Sequence, residues 1–198
     1  MEITQSEQQG HYTYADYLQW PGERRYELID GVAYVKEPPA PSPLHQGVVG
    51  ELYHQLRTAL GQGPCRVYIA PFDVRLPKSG DIDAKAETVV QPDLLIVGDV
   101  RRIDSRGLRG PPDWLAEILS PSTAAHDQVV KLPRYESAGV PEVWLVSPAD
   151  RTVAMYRLEN GRYGRPVIQE LTGRSSLCAV PGVCVDWDPL VSGSTLAD

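Results

Sequence analysis

Val89-Val90-Gln91-Pro92-Asp93-Leu94-Leu95-Ile96-Val97 and Trp114-Leu115-Ala116-Glu117-Ile118-Leu119-Ser120-Pro121-Ser122 are two apolar runs, each interrupted by a single carboxylate. Continuous apolar runs of this length suit strands buried on both faces. A carboxylate inside such a strand is costly unless it is paired, protonated or bound to a cation. Each acid alone also reads as a helix cap or an arginine partner. Two in succession, followed by Lys131 in Asp127-Gln128-Val129-Val130-Lys131-Leu132-Pro133-Arg134-Tyr135, point to a metal site instead. Asp93 and Glu117 would hold a hard divalent ion, since magnesium takes one or two carboxylates and keeps several waters. A lysine beside them can polarise a water or offset charge building on phosphorus.

Outward from these runs, Ser42-Pro43 starts a helix with Leu44, Val48, Leu52, Leu56 and Leu60 at four-residue spacing. His45 lies on its first turn. Most histidines so placed are surface or packing residues, and a minority face a phosphate, so His45 is a weak candidate. Tyr26 to Ile29 and Val32 to Val35 predict a hairpin around Asp30-Gly31. By pattern alone Glu27 is a surface strand residue. Thr13 to Asp16 opens a short helix, Glu37 to Pro43 is proline-rich and extended, and Val143 to Val146 is a further buried strand. Pro133 cannot sit deep in a helix, so the helix of Lys131 is expected to begin near Asp127 to Val130.

These residues carry a resemblance to the Uma-type restriction endonuclease family, within the PD-(D/E)xK nuclease superfamily. The pieces are Tyr26-Glu27-Leu28-Ile29-Asp30-Gly31, Pro92-Asp93-Leu94-Leu95, Glu117-Ile118-Leu119-Ser120-Pro121-Ser122-Thr123, Asp127, Lys131, Tyr135, and Gly139-Val140-Pro141-Glu142-Val143-Trp144. They span most of the chain, from about Tyr12 to Pro189. Leu119 stands where the superfamily carries its lysine, which makes Lys131 the replacement. The resemblance implies an α/β, restriction-endonuclease-like domain, a central mixed β-sheet flanked by helices, with additional antiparallel strands. It implies Mg2+, with Mn2+ able to substitute, held by Asp93, Glu117 and the Ile118 carbonyl. It also brings Glu27 to the site, near a second ion or water, and makes the substrate a nucleic acid, expected to be DNA.

The chain has 198 residues, 42% of them hydrophobic and 23% charged, which suits one domain with a real core. No linker separates a second domain, and residues 1–10 and 192–198 are expected to be flexible. No apolar run reaches the length of a membrane span, and no export signal is visible, so a cytoplasmic protein is expected. Cys65, Cys178 and Cys184 lack any paired spacing and read as small core residues. The histidines His11, His45, His54 and His126 lack zinc spacing, and neither a phosphate loop nor a Gly-x-Ser-x-Gly elbow occurs.

The net charge of −7 runs against the basic excess usual in nucleic-acid binders. Arg101, Arg102, Arg106 and Arg109 form a basic stretch between the two acidic runs, expected to be a mobile or extended loop. It reads evenly as a solvated loop or as a phosphate-steering one, with Arg101 and Arg102 as weak substrate contacts. The rival to a nuclease is therefore a catalytically silent relative acting as a nucleic-acid or protein interaction module. A homodimer is expected of the nuclease, because double-strand cleavage commonly uses two sites about a twofold axis. Two anions sharing one poorly solvated site should repel. One of Asp93 and Glu117 should then have a raised pKa, and Asp93→Asn should leave the metal-free chain at least as stable.

Overall fold

The structure, a computed structural model, describes residues 3–5, 10–22, 24–36, 42–78 and 80–192. Most of the proline-rich segment (37–41) and residues 1–2, 6–9 and 193–198 of the two ends lie outside them. The strands in chain order are β1 (Ile3–Gln5), β2 (Arg25–Ile29), β3 (Val32–Lys36), β4 (Arg66–Ile69), β5 (Val74–Arg75), β6 (Val89–Val90), β7 (Leu94–Val97), β8 (Ile103–Asp104), β9 (Gly107–Arg109), β10 (Trp114–Ile118), β11 (Glu142–Ser147), β12 (Thr152–Glu159), β13 (Arg162–Tyr163), β14 (Val167–Glu170), β15 (Arg174–Ser176) and β16 (Cys184–Asp186). The helices are α1 (Tyr14–Tyr17), α2 (Pro43–Leu60), α3 (Leu132–Ala138) and α4 (Asp188–Ser192).

They form two large sheets. The first has the order β1-β3-β2-β6-β5-β9-β8, and the second β13-β12-β11-β10-β7-β4, with β14 also on β12. Both are mixed: in the first, β5 runs parallel to β9 and antiparallel to β6, and in the second, β10 runs parallel to β11 and antiparallel to β7. Side-chain alternation sorts the two faces of the second sheet. Leu94, Ile96, Trp114, Ala116 and Ile118 pack towards α2 and the C-terminal strands. Leu95, Val97, Leu115, Val143 and Leu145 pack towards α3 and towards Val74, Val90 and Leu108 of the first sheet. Asp93 and Glu117 follow the second set by the same alternation, so both face the seam between the sheets.

The run Val89 to Val97 is not one strand. Its first two residues belong to the first sheet and its last four to the second, with Gln91-Pro92-Asp93 stepping between them. Pro92 has no N–H to give to a ladder, which makes it a natural break. The step places β2 beside β6, with Leu28 opposite Val89, and so carries Glu27 of β2 to the seam.

Several expectations change. The backbone of Ile3–Gln5 pairs with β3 where disorder was expected. Cys178 is exposed and Cys65 and Cys184 are half-buried, so the cysteines are not simply core. The helix of Lys131 begins earlier than Pro133 suggested. It is helical from Ala124, and His126–Lys131 form a π-helical segment in which the Leu132 N–H reaches the Asp127 carbonyl. An α-helical Pro133 would press its ring on the carbonyl four residues back, and the widened turn relieves that conflict. The arginine stretch is not an irregular loop either; it folds as a short 3-10 turn and the hairpin β8–β9.

Gly107 ties that hairpin to β5. Its φ is +115°, and a Cβ there would lie 2.2 Å from the Asp73 carbonyl oxygen. Gly107→Ala should cost about 2 kcal/mol or more, through both the strained φ and the clash. Urea melts of the two proteins check this, and an unchanged midpoint would contradict the packing described.

Candidate active site

At the seam, four carboxylates meet two ammonium groups. Glu27 is fully buried on β2, Glu117 nearly so on β10, and Asp127 lies in the π segment. Asp93, half-buried, caps the start of β7. Lys131 is buried among them: its Nζ lies 2.6 Å from Glu117 Oε1, 3.2 Å from Glu27 Oε1 and 3.5 Å from Asp127 Oδ1. Lys36, at the end of β3, lies 3.1 Å from Glu27 Oε1 and donates to the Gln91 carbonyl at 3.3 Å.

Each acid is held by a distinct set of donors. The Ile118 N–H donates to Asp93 Oδ2 at 2.8 Å, and His45 Nε2 lies 3.2 Å from the same oxygen. Ser42 accepts from the His45 N–H and so caps the helix end that presents the imidazole. Tyr135 OH donates to Glu117 Oε1 at 2.5 Å, and the Asp93 N–H reaches Glu117 Oε2 at 3.4 Å. The Gln91 N–H donates to Glu27 Oε1 at 2.7 Å. The other Glu27 oxygen faces His126 Nε2 at 3.5 Å, and among the described residues neither atom has a hydrogen bond.

The charges do not balance, and the pKa directions follow. Burial pushes Glu27 up, but Lys131 and Lys36 overcome it and hold the carboxyl well below its usual range. Burial acts on Asp93 too, where His45 and the Ile118 N–H prevail and lower it. Glu117 has the opposite outcome: burial, with Asp127 and Asp93 nearby, outweighs Lys131 and pushes it up to about 8. Burial also raises Asp127, which Lys131 does not offset. Lys131 itself is opposed by burial, yet Glu117 and Glu27 keep it charged well above its ordinary value. The raised carboxyl is thus Glu117, and Asp93 is stabilised by its partners. By these directions Asp93→Asn is expected to cost stability, and Glu117→Gln is the substitution expected to leave the metal-free chain at least as stable.

The structure brings Asp93, Glu117, Glu27, Lys131 and His45 together. It does not bring Arg101 and Arg102. Their hairpin leaves the far end of the four-residue strand β7, roughly 13 Å along the strand from Asp93. Both are occupied, Arg101 by Asp99 at 2.8 Å and Arg102 by Asp113 at 3.2 Å. Lys36, Gln91, His126, Asp127 and Tyr135 gained no role from sequence. Asp127 and Tyr135 each stand four residues from Lys131, a spacing that shares one helix face. Lys36 shares the face of Val32 and Tyr34 on β3, whose period-two pattern turns it towards the seam.

Among the described residues no three His, Cys, Asp or Glu side chains are arranged to hold an ion by themselves. The donor set still fits magnesium, which needs only one or two carboxylates and completes its shell with water. The excess of carboxylates over ammonium groups, and the unbonded Glu27 oxygen, give the fit its electrostatic reason. Asp93 and Glu117 would hold such an ion.

The family model named Uma2, described as "Putative restriction endonuclease", matches residues 14–187. A crystal structure of "a putative nuclease belonging to DUF820", from Anabaena variabilis ATCC 29413, superposes with a TM-score of 0.70 at 20% identity. The match covers 93% of this chain and 99% of that one, and shows a shared fold. No curated protein matches the chain.

Glu117 binds a proton in the folded chain over a range where the unfolded chain has lost it. Without metal, stability should therefore fall as pH rises from the ordinary value of 4.5 to about 8, and Asp127 adds to the same trend. The depressed Glu27 matters only below that window. Glu117→Gln should flatten the slope and be at least as stable at pH 8. Thermal melts with chelator at pH 5.5, 7 and 8.5 test this, and an equal slope in both proteins would contradict it.

Proposed function

Because the chain belongs to the Uma2 family, a family of nuclease character, we propose that it is a divalent-metal-dependent endonuclease that hydrolyses DNA phosphodiester bonds. The observation that carries this is the Lys131 ammonium 2.6 Å from Glu117, whose Oε2 accepts from the Asp93 N–H. Two acids at the ends of adjacent strands and one fixed cation are the groups phosphodiester hydrolysis needs.

Asp93 and Glu117 would hold Mg2+ or Mn2+, with the Ile118 carbonyl as a further oxygen. A bound ion supplies charge for a phosphoryl oxygen and lowers the pKa of a coordinated water. Glu117 must give up its proton first, so affinity for the ion rises with pH up to about 8. Lys131 stays protonated, and so serves as an electrostatic stabiliser and hydrogen-bond donor to water or phosphate oxygen, not as a base. Glu27 holds Lys131 and Lys36 in place, and its second oxygen faces His126. His45 orients Asp93 from the start of α2. A twofold homodimer would place two such sites on opposite DNA strands. No helix among the described residues is long and apolar enough to cross a membrane.

Purified protein incubated with plasmid, linear and single-stranded DNA plus Mg2+ or Mn2+ tests the proposal. Glu117→Gln should lower cleavage by about 100-fold or more. It should also abolish the stabilisation of about 2.7 kcal/mol expected at a hundred times the dissociation constant of the ion. Lys131→Met should behave differently. It strands buried acids and costs about 3–5 kcal/mol without metal, yet keeps a metal-induced rise in Tm while cleavage is lost. No cleavage of any DNA by the wild type would favour a silent interaction module.

A further inference from the structure

Two donors crowd one oxygen of Glu117. Lys131 Nζ and Tyr135 OH both bond to Oε1, at 2.6 and 2.5 Å. They stand four residues apart on one helical face, and both are buried. Oε2 receives only the 3.4 Å contact from the Asp93 N–H among the described residues. Asp93 shows the same division. Its Oδ2 faces the Ile118 N–H and His45, while Oδ1 has no hydrogen bond among the described residues.

We propose that Tyr135 is a positioning residue that restricts Glu117 to offering one oxygen, and thereby selects magnesium-sized ions over calcium. The inference rests on the metal-nuclease reading above. Magnesium binds single carboxylate oxygens in a tight octahedron and keeps its waters, whereas calcium gathers six to eight oxygens and favours two-oxygen carboxylate binding. For Glu117 to chelate with both oxygens, Oε1 must leave the phenol and the ammonium. Both donors are buried, and neither would find water easily. Tyr135→Phe keeps the ring within the cluster of Leu115, Val143 and Leu145 and removes only the hydroxyl. Oε1 then has one donor fewer, and two-oxygen binding becomes less costly.

Calorimetric titration of the full chain with MgCl2, MnCl2 and CaCl2, for wild type and Tyr135→Phe, tests this. The wild type should bind Mg2+ and Mn2+ in preference to Ca2+. Tyr135→Phe should raise Ca2+ affinity relative to Mn2+ by about tenfold, the scale of a lost partner behind a metal ligand. A purely structural role would lower affinity for all three ions together and leave their ratio unchanged, which overturns the proposal while the wild-type isotherm upholds the metal site. Absence of Mn2+ binding by the wild type would overturn the metal-site reading itself.

Discussion

The burial of more carboxylates than ammonium groups at one seam is the constraint on which this molecule turns. Glu27, Asp93, Glu117 and Asp127 gather around Lys131 and Lys36, in a place where uncompensated charge is expensive. Lysine pairing satisfies Glu27, and His45 with the Ile118 N–H satisfies Asp93. The remaining excess falls on Glu117 and Asp127, whose carboxyls are pushed up. A core built only for stability gains nothing from such an arrangement; a hydrophobic replacement would often serve it as well or better. The cation proposed for this site would neutralise that excess.

The fold delivers this cluster by bringing β2, β3, β7, β10, α2 and the π segment to one place. Pro92 breaks the run between the sheets, so β6 keeps β2 close while β7 lies against β10. α2 brings its capped first turn to Asp93. The π segment brings Asp127 and Lys131 across the seam, followed one turn later by Tyr135. Arg134, paired with Asp30, fastens this helix to the β2–β3 turn and so couples Lys131 to the strand of Glu27.

Much of this was legible in the sequence because a charge inside an apolar run is an anomaly that sequence exposes. Asp93 and Glu117 stood out for that reason, and the four-residue spacing of α2 and the Asp30-Gly31 turn were equally plain. What could not be read depended on pairing across the chain. The change of sheet at Pro92 needs knowledge of the partners of each half. Lys36 has an ordinary strand pattern, and its role exists only because β3 faces Glu27. The arginines looked available for phosphate, but Asp99 engages Arg101 locally, and Asp113 and Asp83 reach Arg102 and Arg109 only once the chain is folded. Pro133 misled through a sound rule, since a π turn is an uncommon way to meet it.

Anomalous scattering from crystals grown with MnCl2 tests the central claim most directly, because it locates the ion without relying on activity. The account predicts one strong peak in contact with both Asp93 and Glu117, with Lys131 still within bonding distance of Glu117. A peak confined to surface acids, or none near the seam at saturating Mn2+, would contradict it.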